Sequence, residues 1–131
     1  MNDDDIFATL NRHWDASDAN SCDVEHDIYR DDAELHYPQS GEWIKGRENI
    51  KQSRAVQSSR KRFSVQRILG SGDLWVSELT ITYDETPSYV VSVMEFSEGK
   101  VARETQYFAA PFEPSPSRAH LIAQIGETIL F

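Results

Sequence analysis

The sequence predicts an α+β fold in which a curved antiparallel sheet wraps around N-terminal helices. Three observations carry this expectation. Apolar residues recur at helical spacing in the first third of the chain. From Phe63 onward they alternate with polar ones, and short turns join the later segments. Strands joined by short turns pair antiparallel, and a bent sheet around a helix leaves a cavity at its open end.

The first element follows from Ile6, Phe7, Leu10, His13, Trp14 and Ser17, which share one helical face and predict a helix over about residues 4–20. Asp3 to Asp5 suit the positive end of its dipole. Val24, Ile28 and Tyr29 suggest a second short helix, closed by Arg30-Asp31-Asp32. Ala33 to Tyr37 reads as a strand, stopped by Pro38 and the Ser40-Gly41 turn. A third helix starts near Gly46 or Arg47 and carries Ile50, Ala55 and Val56 on a thin apolar face.

Four strands follow in the second half. Phe63 and Val65 lie on the first, which ends at Gly70-Ser71-Gly72. Leu74–Tyr83, Ser88–Phe96 and Val101–Phe108 form the others, with Ser97-Glu98-Gly99-Lys100 as a tight turn. The proline-rich PFEPSPS stretch at 111–117 is expected to be extended. Beyond it Leu121, Ile122, Ile125, Ile129 and Leu130 keep helical spacing. Residues 1–118 thus read as one domain, and 119–131 as a tail that packs on the domain or on a partner chain.

Composition narrows the function. A chain of 131 residues with net charge -9 lacks the clustered positive charge that nucleic acid requires. Half of the acidic residues, 11 of 22, lie in residues 1–34, whereas 8 of the 13 basic residues lie in 45–67. The basic stretch reads as a solvated face beside the acidic helices, or else as an anion-binding surface. No apolar run approaches the ~20 residues that a membrane helix needs. The acidic MNDDDIFATL start is unlike a secretory signal, and the single cysteine, Cys22, fits a reducing compartment, so the chain is expected in the cytoplasm. His13, His26, His36 and His120 show no metal-ligand spacing, and the GSG at 70–72 lies between strands, so neither metal nor nucleotide cofactor is expected.

Several segments carry a resemblance. IYRDDAELHYP with GRENI, then GSGDLWVSE, then VSVMEFSEGKVARETQYF with PF just after, resemble the SnoaL-like group of the nuclear transport factor 2-like superfamily, which includes polyketide cyclases and is related to ketosteroid isomerase. The resemblance runs from about residue 5 to residue 118. It implies a cone-shaped α+β barrel, commonly dimeric, with an apolar pocket between helices and sheet. It does not imply one activity, because the superfamily holds isomerases, cyclases, dehydratases, epoxide hydrolases and non-catalytic binding or dimerisation modules.

Position by position, the isomerase chemistry is not retained. Tyr37 stands where the isomerase has its carboxylate base, and a tyrosine is a poor base at neutral pH. His13 and Ser92 stand at the oxyanion-donor positions. Resemblance to the cyclases points to a carboxylate from the late strands, and Glu104 is nearest. If buried, it would have its pKa raised toward neutral by desolvation. The expected catalytic set is therefore Glu104 as base with His13 and Tyr37 as acid or oxyanion donors. Trp14, Gln39, Trp75, Ser92, Met94, Gln106 and Phe108 are expected to line the pocket, which would hold a small apolar carbonyl or hydroxyl compound. A register slip of one residue would instead put Arg103 inside and Glu104 in water, suggesting epoxide hydrolysis or acid binding.

Overall fold

The computed structural model describes residues 1–55 and 60–123. Val56, Ile125, Ile129 and Leu130, assigned above to helical faces, lie outside the described residues. Helix α1 (Asp3–Asp18) opens with a reciprocal cap: Asn2 Oδ1 accepts the Asp5 N–H at 2.9 Å, and the Asp5 carboxylate accepts the Asn2 N–H at 3.1 Å. Its buried face is Ile6, Leu10, His13, Trp14 and Ser17, and it lies against the sheet. Helix α2 (Cys22–His26) is a single turn, and α3 (Arg47–Ala55) buries Ile50.

The six strands are β1 (Tyr29–Tyr37), β2 (Glu42–Lys45), β3 (Lys61–Ser71), β4 (Leu74–Tyr83), β5 (Thr86–Ser97) and β6 (Lys100–Ala109). They form one sheet in the order β2-β1-β6-β5-β4-β3. The β3 to β6 meander is antiparallel, as the short turns require. In addition, β1 joins β6 in parallel, which gives the sheet one parallel seam.

Two local readings change. Tyr29 to Asp32 do not close a helix; they open β1, and the ladder to β6 shifts register between Tyr29 and Glu34. The residues after Ser40-Gly41 form the short β2, paired to β1 from Glu34↔Lys45 to Tyr37↔Glu42. After β6 the chain continues without regular structure to one 3-10 turn (Pro116–Arg118), and residues 119–123 are not helical. Leu121 and Ile122 are exposed.

The core lies between α1, α3 and the inner face of the sheet. Leu10, Leu35, Ile50, Leu79, Val90, Met94 and Val101 are all buried in it. The period-two alternation of β5 and β6 puts Val90, Ser92 and Met94, and then Glu104 and Gln106, on this inner face. Arg103 faces out and forms ion pairs with Glu34 and Glu95, so the register slip does not occur.

Candidate functional site

Glu104 is fully buried and its two carboxylate oxygens are filled. Oε1 accepts from the Tyr29 hydroxyl and from Arg54 Nη2 at 3.1 Å. Oε2 accepts from Ser92 Oγ at 2.6 Å and Gln106 Nε2 at 3.0 Å. Each donor follows from the local fold. The β5–β6 register pairs Ser92 with Gln106, β1 brings Tyr29 to the inner face, and Arg54 lies one turn beyond the buried Ile50 of α3.

This surrounding reverses the expected electrostatics. Burial alone raises the Glu104 pKa. The Arg54 guanidinium, with smaller help from the Ser92 and Tyr29 hydrogen bonds, outweighs burial and holds the carboxyl below its ordinary value. Desolvation opposes the charge on Arg54 as well, but Tyr29 and Glu104 beside it raise its pKa, so the guanidinium stays charged. Glu104 is an ionised anchor with no free lone pair, not a base of raised pKa.

His13 has a similar supporting place. Its Nδ1 lies 2.6 Å from the Glu25 carbonyl oxygen; because a carbonyl only accepts, Nδ1 carries the proton. Nε2 is then a lone pair, and it has no hydrogen-bond partner among the described residues. Burial is the largest influence on the ring and lowers its pKa to about 4, although Glu104 and Glu25 raise it. His13 is therefore neutral at ordinary pH. One turn further along α1, Ser17 Oγ donates to Glu25 Oε2 at 2.8 Å. Glu25 is thus gripped twice by α1, once by its backbone and once by its side chain.

Arg54 is fixed from behind on three sides. Nη1 donates to the Tyr29 hydroxyl at 2.9 Å and to His26 Nε2 at 3.4 Å, in addition to the Nη2 bond to Glu104. His26 can accept because its Nδ1 donates to the Cys22 carbonyl at 2.7 Å. These contacts use three of the five guanidinium N–H groups.

In front of Arg54 lies an inner cavity lined by Trp14, Glu25, Tyr37, Arg54, Lys61, Phe63, Ile81, Tyr83, Gln106 and Phe108. Space for the centre of a water-sized sphere amounts to about 50 Å³. At roughly 10–15 Å³ per water by that measure, it suits about four waters or one very small organic group. Burial raises the pKa of the Tyr37 and Tyr83 hydroxyls, so both are protonated donors.

The expected site residues divide between this cavity and the packing around it. Trp14, Tyr37, Gln106 and Phe108 line it. Glu104, Ser92 and His13 do not; they are sealed beneath it as the support for Arg54 and Glu25. Met94 is plain core, and Trp75 is core whose indole N–H donates to the Gly72 carbonyl at 2.9 Å. Gln39 is exposed and does not line the inner cavity; its amide is bonded at both ends to the Phe108 backbone, with one N–H and one oxygen lone pair left over. The site residues that escaped the sequence reading include Arg54, Glu25, Phe63 and Tyr83 in the lining, and Tyr29 and His26 behind Arg54. The available signal for Arg54 was its spacing of four from Ile50. Among the described residues, no three His, Cys, Asp or Glu side chains gather as a metal site.

A cone of helices held in a bent six-stranded sheet, with a small polar-based cavity, defines an α+β barrel of the nuclear transport factor 2-like class. The SnoaL-like domain family matches residues 8–104, and the chain belongs to that family. Among solved structures, it is similar to an NTF-2 like protein of unknown function from Burkholderia xenovorans LB400, with 49% identity, a TM-score of 0.89, and coverage of 96% of this chain and 99% of that one. A protein provisionally assigned as a ketosteroid isomerase from Kribbella flavida DSM 17836 is 21% identical, with a TM-score of 0.83 and coverage of 92% and 90%. An LEH-like epoxide hydrolase from M. tuberculosis is 17% identical, with a TM-score of 0.68 and coverage of 78% and 80%. The last two likenesses concern the fold alone. No curated protein matches the sequence.

Proposed function

We propose that this SnoaL-like protein binds a small compound by a carbonyl or hydroxyl oxygen in the inner cavity. Arg54 and Tyr37 are the oxygen donors, and Trp14, Phe63 and Phe108 supply the apolar walls. The observation that carries the reading is the support of Arg54. Glu104, Tyr29 and His26 fix one side of the guanidinium while it lines the cavity. A preorganised, partly desolvated donor of this kind binds an oxygen without the cost of ordering a flexible side chain. The test is a titration of protein labelled at the arginine side chains with butanone and with phenol, followed by NMR. A saturable shift of the Arg54 Nε–H, the signal identified by its absence from Arg54→Gln, supports the reading; no saturable shift with either compound contradicts it.

One observation favours a second reading, proton transfer. Glu25 lines the same cavity as Arg54 and Tyr37, its Oε2 is held by Ser17, and among the described residues its Oε1 has no hydrogen bond, His26 Nδ1 lying 4.0 Å away. In this reading Glu25, in place of Glu104, takes a proton from carbon next to a carbonyl, while Tyr37 and, in place of His13, Arg54 hold the oxygen as it gains charge. Return of the proton to another carbon completes an isomerisation; loss of a β-hydroxyl as water completes a dehydration. Exchange of solvent deuterium into butanone, abolished in Glu25→Gln, tests it. Absence of exchange with the native protein leaves ligand binding without chemistry.

We further propose a homodimer in the cytoplasm. Leu69, Leu74, Val91 and Tyr107 are exposed large apolar residues of the strands, which supports pairing through the sheet. Sedimentation of the native chain and of Tyr107→Glu distinguishes dimer from monomer. The single cysteine supports a reducing location, and among the described residues no helix is long and apolar enough to cross a membrane.

A further inference from the structure

We infer that the rings of Tyr37 and Phe108 form an internal wall that sets the length of compound the cavity accepts, and that Gln39 is the positioning residue holding this wall. The inference rests on the reading of the inner cavity as a ligand site.

A second, open hollow of about 420 Å³ lies beside the inner cavity, lined by Tyr37, Gln39, Ser40, Glu42 and Phe108. Tyr37 and Phe108 are the residues that border both spaces. Their ring centroids are 5.8 Å apart at an interplanar angle of 57°, so the two rings meet as one tilted partition. Both are half-buried, with the inner cavity on one side and the open hollow on the other. A compound whose oxygen sits at Arg54 therefore ends against aromatic carbon a few atoms later. A longer homologue has room only beyond the partition.

The partition is fastened from outside the ladder. The register of β1 with β6 runs as far as His36↔Thr105. Beyond it the Gln39 side chain takes over the role of a strand: Nε2 donates to the Phe108 carbonyl, and Oε1 accepts the Phe108 N–H at 2.6 Å. Two opposed amide bonds fix the Phe108 backbone, and with it the direction of the ring. The outer hollow then offers apolar ring surface toward the cavity and the Ser40 and Glu42 polar groups toward solvent. Its occupant would be the apolar chain of a longer carbonyl compound, admitted only when the wall is opened.

The experiment is a titration of the full chain with the methyl n-alkyl ketones from butanone to 2-undecanone, read from the indole N–H resonance of Trp14. Each added methylene should tighten binding about fourfold while it enters apolar surroundings, and the series should break off where the chain meets the rings. In the native protein the break is expected within the first few members. In Phe108→Ala it should move to longer members by at least about three carbons. Gln39→Ala, a change on the surface that keeps both ring side chains but frees the Phe108 backbone, should blur the break. Phe108→Leu guards against loss of folding in Phe108→Ala and should move the break in the same direction by a smaller step. An unchanged break in Phe108→Leu and Gln39→Ala overturns the wall. A break that moves while Arg54→Gln leaves every affinity unchanged keeps the wall and removes Arg54 from oxygen recognition. No binding of any ketone to any form overturns both.

Discussion

Arg54 Nη2 donates to Glu104 Oε1 at 3.1 Å inside the protein, tying the last turn of α3 to the middle of β6. The carboxylate is fully buried and the arginine side chain is 14% exposed. Removing one member of such a pair strands the other charge, which costs about 3–5 kcal/mol, whereas an uncharged pair of similar volume is tolerated. Arg54→Met and Glu104→Gln should each destabilise strongly, and the double variant should be more stable than the sum of the two losses predicts. Urea unfolding of the four forms measures this coupling; simple additivity would contradict it.

Acid should weaken the fold before it protonates ordinary carboxylates. His13 has a folded-state pKa of about 4 against an ordinary 6.5. Between those values the unfolded chain binds more protons than the folded one, so stability is full above pH 6.5 and falls as pH drops toward 4. The loss between pH 7.5 and pH 5 should be about 2 kcal/mol from this histidine alone. His26, whose pKa burial also lowers, adds in the same direction. Glu104, held below its ordinary value, contributes stability above that value and loses it at lower pH still. Urea unfolding at the two pH values should show the slope, and His13→Asn should flatten it.

Gly70 is needed for contact, not for an unusual backbone angle. A Cβ there would fall 2.5 Å from the Leu74 carbonyl oxygen and 2.6 Å from Cδ2 of the Trp75 ring. Both neighbours are fixed, the ring by its bond to Gly72. Gly70→Ala should therefore cost about 1–3 kcal/mol by overpacking. Gly72→Ala, at a positive φ with open space around it, should cost less by steric contact and more by backbone strain. Thermal unfolding of Gly70→Ala checks the first figure; an unchanged midpoint would show that the hairpin yields.

The strands from Phe63 onward were legible because their alternation and turns are local signals. The parallel seam between β1 and β6 was not, since nothing in the spacing of either strand names a partner some 70 residues away. Tyr29 was misread because Val24, Ile28 and Tyr29 mimic a helical face across what is a helix end and a strand start. The basic stretch reads as a solvated face beside acidic helices, and Lys51–Asp23 and Arg62–Asp18 are such pairs, whereas Arg47 meets Asp31 on β1. Arg54 is the exception within that stretch. Composition counted it with its neighbours, and only its position on the Ile50 face of α3 separates it from them. Alternation put Glu104 on one face with Gln106, and only the resemblance suggested that this face is the inner one; the ionisation state of Glu104 depended on that unrecognised arginine.

Glu104 is thus an ionised support for Arg54 at neutral pH and not a base poised near neutrality. Carbon NMR of protein labelled at the glutamate carboxyls tests it most directly. The Glu104 signal should keep its ionised position as pH falls through the ordinary glutamate value of 4.5. A Glu104 signal that titrates between pH 6 and 8 would contradict the account and return the base to β6.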